Sequence, residues 1–337
     1  MPEYTYDKPF KTYDEMIKIL ESRNIIISDK EFTKQALSNF SYYSIINGYK
    51  NTFLTKPGTD EFVSGTKFDD LYLLNIIDAD LNNMVFKYIL NIEKSLKSKL
   101  SYIVSEKYGV YTNIYEVDLN NKSDYLHPSH YSNSAKMRRN TIYKLKDCIK
   151  ENKNRSVIQH YIKEKNHLPP WIATNVIYFG LIINWYRILR DQDKKYICDL
   201  FIPDQSMDIE HRKEFLIKSL DLSKEYRNVI AHGSKTIGLN GLPVLPKEQS
   251  IRLAGKLLSR EEYNSKLGQN DIYSVFIIIL TLTNDTTLLM AFYMDCHVFF
   301  HKYKNNTFNN KTIFEVFGIP NNLLQRIEAF LRDRLSI

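Results

Sequence analysis

The chain holds 337 residues with a formal net charge of +7; 43% are hydrophobic and 13% aromatic, with only 11 Gly and 10 Pro. That length admits one large domain or two smaller ones, and few helix breakers beside long periodic segments indicate a mostly helical, all-α protein. Its three cysteines, Cys148, Cys198 and Cys296, are scattered and form no C-x-x-C pair, which fits a reducing, cytoplasmic setting.

The opening residues, Met1-Pro2-Glu3-Tyr4, lack the basic head and apolar run of a signal peptide, and 1–27 reads as an N-terminal extension. Ser28-x-x-Glu31 has the form of a capping box that opens a short helix to about residue 40. A turn-rich loop around Pro57 and Gly58 follows. Residues 69–107 place Leu74, Ile77, Leu81, Val85, Tyr88, Ile92 and Leu96 at steps of three and four. They predict a helix of about 58 Å if unbroken, with Asp78 and Asp80 marking a bend or a break.

A polar connection over 109–135 leads to a basic helix over 135–151 and a second from Ser156. Leu168-Pro169-Pro170-Trp171 opens an apolar helix to about Arg190. A motif helix spans about 211–232, a Gly/Pro loop follows to Pro246, and Ser259-x-x-Glu262 is a second capping box. Further helices are expected over 271–303 and 320–335. The greasiest stretches, 176–189 and 272–282, are shorter than the roughly 18–20 residues of a membrane span, so no membrane partner is expected. The reading is one helical domain over 28–337, with a core over 28–233 and a C-terminal helical part over 247–337.

Tyr226-Arg227-Asn228-Val229-Ile230-Ala231-His232-Gly233 concentrates the chemistry. A guanidinium matches phosphate oxygens in a two-pronged way, and an imidazole both takes and gives a proton near neutral pH. Asn228 and His232, four apart, share a helix face, and Arg227 lies about 140° round from His232. Gly233 is a good residue to stop the helix, which puts His232 in its last turn. The plain alternative is a surface helix end where Arg227 meets a carboxylate such as Glu225 and His232 caps carbonyls.

This spacing resembles the Arg…His motif of HEPN-domain ribonucleases, with Arg227, Asn228 and His232 in its three positions. Other segments resemble the Abi family of the AbiD/AbiF type: Tyr42-Tyr43 to Gly48-Tyr49, Asn91 to Gly109 with Glu93 and Lys97, and Pro169-Pro170-Trp171-Ile172-Ala173 with Phe179-Gly180. Many members carry a second His after the motif His; here that position is Gly233. The resemblance implies an all-α, HEPN-like helical bundle with added N- and C-terminal helices. It implies a homodimeric, metal-independent endoribonuclease of phage defence by abortive infection, and it places Glu93 and Lys97 near the motif helix. A structured non-coding RNA is a further implied partner. The other reading is a non-catalytic helical module that binds RNA or protein.

Residues 136–165 hold ten Lys/Arg against three Asp/Glu. Lys136, Arg138, Arg139, Lys144, Lys146, Lys150, Lys153 and Arg155, interleaved with Tyr143, His160 and Tyr161, suit an RNA backbone with aromatics for base stacking. His297 and His301 are four apart, but Phe299, Phe300 and Tyr303 around them favour packing over a metal site. His127-Pro128-Ser129-His130 reads as a turn. There is no Walker loop, GxGxxG or GxSxG, and no metal or cofactor is expected.

Overall fold

The computed structural model describes residues 7–56, 58–115, 121–132 and 134–335; residues 1–4 and Pro57, read above, lie outside them. Its helices are α1 Tyr13–Ser22, α2 Lys30–Tyr42, α3 Phe68–Tyr108, α4 Ala135–Glu151, α5 Ser156–Glu164, α6 Pro170–Ala173, α7 Phe179–Ile188 and α8 Asp191–Phe201. They continue as α9 Ile209–Ala231, α10 Lys247–Ala254, α11 Arg260–Asn264, α12 Ile272–Leu282, α13 Thr286–Tyr303, α14 Ile313–Phe317 and α15 Leu323–Leu335. The strands β1 Thr307–Phe308 and β2 Lys311–Thr312 make a minimal hairpin. Its turn residues, Asn309 and Asn310, both have positive φ, as a two-residue hairpin loop of the primed type requires. The fold is all-α. No helix among the described residues is long and apolar enough to cross a membrane.

Several boundaries differ from the sequence expectation for local reasons. Asp29, not Ser28, caps α2: its carboxylate accepts from the Glu31 and Phe32 amides at 2.9 and 3.0 Å. The apolar helix expected to reach Arg190 is split in two. Thr174 Oγ1 and Asn175 Nδ2 both donate to the Trp171 carbonyl, at 3.3 and 3.2 Å, and such side chains compete with the helical ladder. By contrast, α12 ends with the apolar run 272–282, and α13 opens after Asn284-Asp285, where Asp285 Oδ1 accepts from the Leu288 amide at 2.9 Å. The capping box at Ser259 and Glu262 forms as expected.

The chain divides into two compact units, each discontinuous in sequence. One comprises Met1–Met84, Val229–Leu239 and Tyr293–Gln325; the other comprises Val85–Asn228, Asn240–Phe292 and Arg326–Ile337. In the first, α1 packs on α2, and Leu20, Leu37, Ile46, Leu74, Ile77 and Phe300 are buried. The Phe53 and Phe308 rings meet edge to face at 6.1 Å. In the second, α4 packs on α7, and Trp185 Nε1 donates to Tyr131 Oη at 3.0 Å inside the core. The α12 helix is buried along its whole length.

Helix α3 runs through Asp78 without a break, and that carboxyl finds partners in the core. Tyr49 Oη and the Thr236 amide donate to its Oδ2 at 2.8 and 3.2 Å. Thr236 Oγ1 lies 2.9 Å from Asp78 Oδ1 and 2.7 Å from Asn82 Oδ1. A hydroxyl has one proton to give. If Thr236 donates to Asn82, a protonated Asp78 completes the chain by donating to Thr236. Burial pushes the Asp78 carboxyl up, against the pull of these donors.

A folded-state value above the unfolded one contributes stability that is full below the unfolded pKa and is lost as pH rises through the folded one. Asp78→Asn reproduces the neutral acid, so it should fold and flatten the pH dependence of urea midpoints above the ordinary carboxylate range. Asp78→Ala should instead cost about 1–3 kcal/mol for each donor left unpaired. Equal pH slopes in the wild type and Asp78→Asn would refute the assignment.

Candidate functional site

The end of α9 is built by its stop signal. Gly233 takes φ +66°, its amide donates to the Ile230 carbonyl at 2.9 Å, and the Ser234 amide donates to the Val229 carbonyl at 3.0 Å. This pair of bonds is a Schellman cap, with His232 as the cap residue and Gly233 just beyond it. Backbone amides thus serve the last carbonyls, and the imidazole is not used for capping. His232 is exposed to solvent just past the last helical residue.

Five residues earlier, Arg227 is half-buried. Its carboxylate partner is Glu93 on α3, not Glu225, which pairs with Lys224 at 2.7 Å. Glu93 has 8% side-chain exposure; Lys97 Nζ sits 2.8 Å from its Oε1, and Arg227 Nε sits 3.7 Å from its Oε2. The second approach is an ion pair without a hydrogen bond. Glu93 Oε2 and Arg227 Nε are both buried and unsatisfied, as are the hydroxyls of Ser219 and Ser223, at four- and eight-residue steps before Arg227 on α9. The guanidinium is attracted but not saturated, which leaves its outer nitrogens for another anion. Asn228 lies beside it, with its Oδ1 3.5 Å from Arg227 Nη1, a weak contact by geometry.

Arg227 and Asn228 border an open cavity of about 280 Å³, reached also by Tyr178, Asn184, Arg187 and Lys224. Arg187 Nη2 donates to both oxygens of Asp221 at 2.6 and 2.5 Å, and its Nη1 donates to Asn184 Oδ1 at 2.8 Å. These lining residues escaped the sequence reading. Asp221, Lys224 and Asn228 do share one face of α9 at steps of three and four, a signal that was present. Tyr178 and Arg187 come from around α7, and only the tertiary fold brings them there.

The basic residues sort by exposure. Lys136, Arg139, Lys144, Lys150, Lys153 and Arg155 are exposed on α4 and the turn after it, with Tyr143 among them at 60%. Arg138 is half-buried, its Nη1 3.5 Å from the Tyr131 carbonyl. Lys146 corrects the expectation: it is 4% exposed, and its ammonium lies 2.6 Å from the buried Asp124, so it cannot reach a polyanion. Helical periodicity puts Lys146 beside Ile142, Leu145 and Ile149 on the core side. Among the other histidines, His297 packs edge-on against Tyr293 at 4.5 Å, and His127 to His130 form a short 3-10 turn.

A family model described as Abi-like protein matches residues 35–237. No curated protein and no solved structure matches the chain.

The Lys146–Asp124 pair is anchoring. Removing one partner of a buried pair strands the other charge, so Lys146→Ala should lower stability by about 3–5 kcal/mol, whereas Lys144→Ala should change it by less than about 0.5 kcal/mol. Urea denaturation of both variants decides this, and similar midpoints would contradict the placement.

Proposed function

Given that the chain belongs to the Abi-like protein family, we propose that it is a metal-independent RNA endonuclease of the HEPN type, acting in bacterial phage defence by abortive infection. The observation that carries this reading is the capped end of α9. There an exposed imidazole, released from helix capping, follows by five residues a guanidinium held but not saturated by Glu93.

RNA brings its own nucleophile, the ribose 2′-hydroxyl. In the proposed reaction a neutral His232 takes the 2′-hydroxyl proton and the 2′-oxygen–phosphorus bond forms. Arg227 holds the charge that develops on the phosphorane oxygens. The bond from phosphorus to the 5′-oxygen then breaks, and a protonated imidazole donates to that oxygen. The products are a 2′,3′-cyclic phosphate and a 5′-hydroxyl. Base and acid must act on opposite sides of the phosphorus, and one chain supplies one such histidine. The reading therefore includes a homodimer in which two α9 ends share one phosphate, with Asn228 orienting the imidazole or the 2′-hydroxyl. Glu93 and Lys97 support Arg227 from α3. The exposed cations of α4 hold RNA, either substrate or a structured non-coding RNA, in the cytoplasm.

Three outcomes are expected. Cleavage of single-stranded RNA should leave 2′,3′-cyclic ends and persist in EDTA, and loss of activity on chelation would refute the metal-free route. His232→Ala and Arg227→Ala should each lower the rate by about 10²–10⁴-fold and relieve growth arrest on expression. Neutralising Lys136, Arg139 and Lys150 should reduce the salt dependence of RNA binding by about one unit of slope per residue. RNA retention with no cleavage by the wild type would favour a binding module instead.

A further inference from the structure

We infer that the cavity beside Arg227 is a subsite for one unpaired nucleobase, with Tyr178 as its stacking platform. This rests on the nuclease reading for which RNA is meant, and it adds Tyr178, Asn184, Arg187 and Lys224 to the Arg227 and Asn228 of that reading.

Tyr178 lines the cavity and keeps 56% of its surface exposed. Exposure of a large aromatic ring costs hydration free energy, and this ring stands at the mouth of a recess instead of filling it. Gly180 lines the recess beside it. A Cβ there would lie 3.3 Å from Lys224 Cδ, where the lysine would have to give by a few tenths of an ångström, and 3.7 Å from the Tyr178 ring, an ordinary contact. At about 280 Å³ the space is at the small end of ligand pockets, about 300 Å³, which suits one base and not an extended ligand.

The polar groups in the cavity point to the same class of ligand. Arg187 and Asp221 answer each other's charge. Arg187 also engages the Asn184 carboxamide through its oxygen, which leaves the amide nitrogen as a donor. Asn228 likewise turns its oxygen toward Arg227. Lys224 and Arg227 add cations at the wall. A ring to stack on, two amide donors for base carbonyls and cations for the adjoining phosphate make the set used to hold unpaired RNA.

The test uses the His232→Ala protein, which should not consume the RNA, and a short unpaired oligoribonucleotide followed by fluorescence anisotropy. An abasic oligomer of equal phosphate count is the control for charge. Adding Tyr178→Ala should weaken binding of the base-bearing strand roughly 5- to 150-fold and leave the abasic strand within about twofold, well inside the effect expected of stacking. Tyr178→Phe should retain affinity. Unchanged affinity in Tyr178→Ala, equal losses on both strands, or no binding of the base-bearing strand would overturn the subsite. Failure of the nuclease reading looks different: a wild-type protein that cuts no RNA while Tyr178→Ala still loses base-dependent binding.

Discussion

A buried carboxylate needs cations or donors to offset its lost hydration, and Glu93 has two cations that answer it unequally. Lys97, one turn away on the same helix, makes a full contact; Arg227 makes a longer one that leaves Glu93 Oε2 and Arg227 Nε without hydrogen bonds. Shortening that gap would need a shift of backbone or rotamer, so the guanidinium is drawn inward without being used up. The proposed chemistry depends on this imbalance. A guanidinium closed into a bidentate pair with Glu93 would have little left for a phosphate, and one without Glu93 would be free to wander.

The second constraint is the stop of α9. A helix end must find donors for its last carbonyls, and here a left-handed glycine lets two backbone amides provide them. Had the chain continued with a residue that resists positive φ, the imidazole or solvent would have had to serve. One backbone choice at Gly233 thus decides whether the side chain before it is structural or available.

Much of this was legible in the sequence because it is periodic or local. The apolar steps of α3 and the basic helix α4 follow from spacing alone, and the Gly233 stop from one residue type. The Tyr-Tyr…Gly-Tyr, Pro-x-Trp-x-Ala and Phe-Gly segments carried the family. What escaped depends on partners distant in the chain. Asp78 read as a bend or break because the donors to its carboxyl, Tyr49 and Thr236, lie 29 and 158 residues away. Lys146 read as one more surface cation because Asp124 precedes the helix in an irregular loop. The break before α7 turns on which carbonyl two short polar side chains choose, and α8, absent from the expectation, lies between stronger apolar signals.

The salt link that pins α4 by its inner face also makes that helix a fixed ruler. From Lys136 to Lys150 its outer charges are rooted over about 21 Å at the helical rise. Charges set this way meet phosphates in register but carry no information about bases. In the proposed reading, discrimination among transcripts therefore arises elsewhere, at the ring and amides of the inferred subsite, with the ruler supplying grip and alignment.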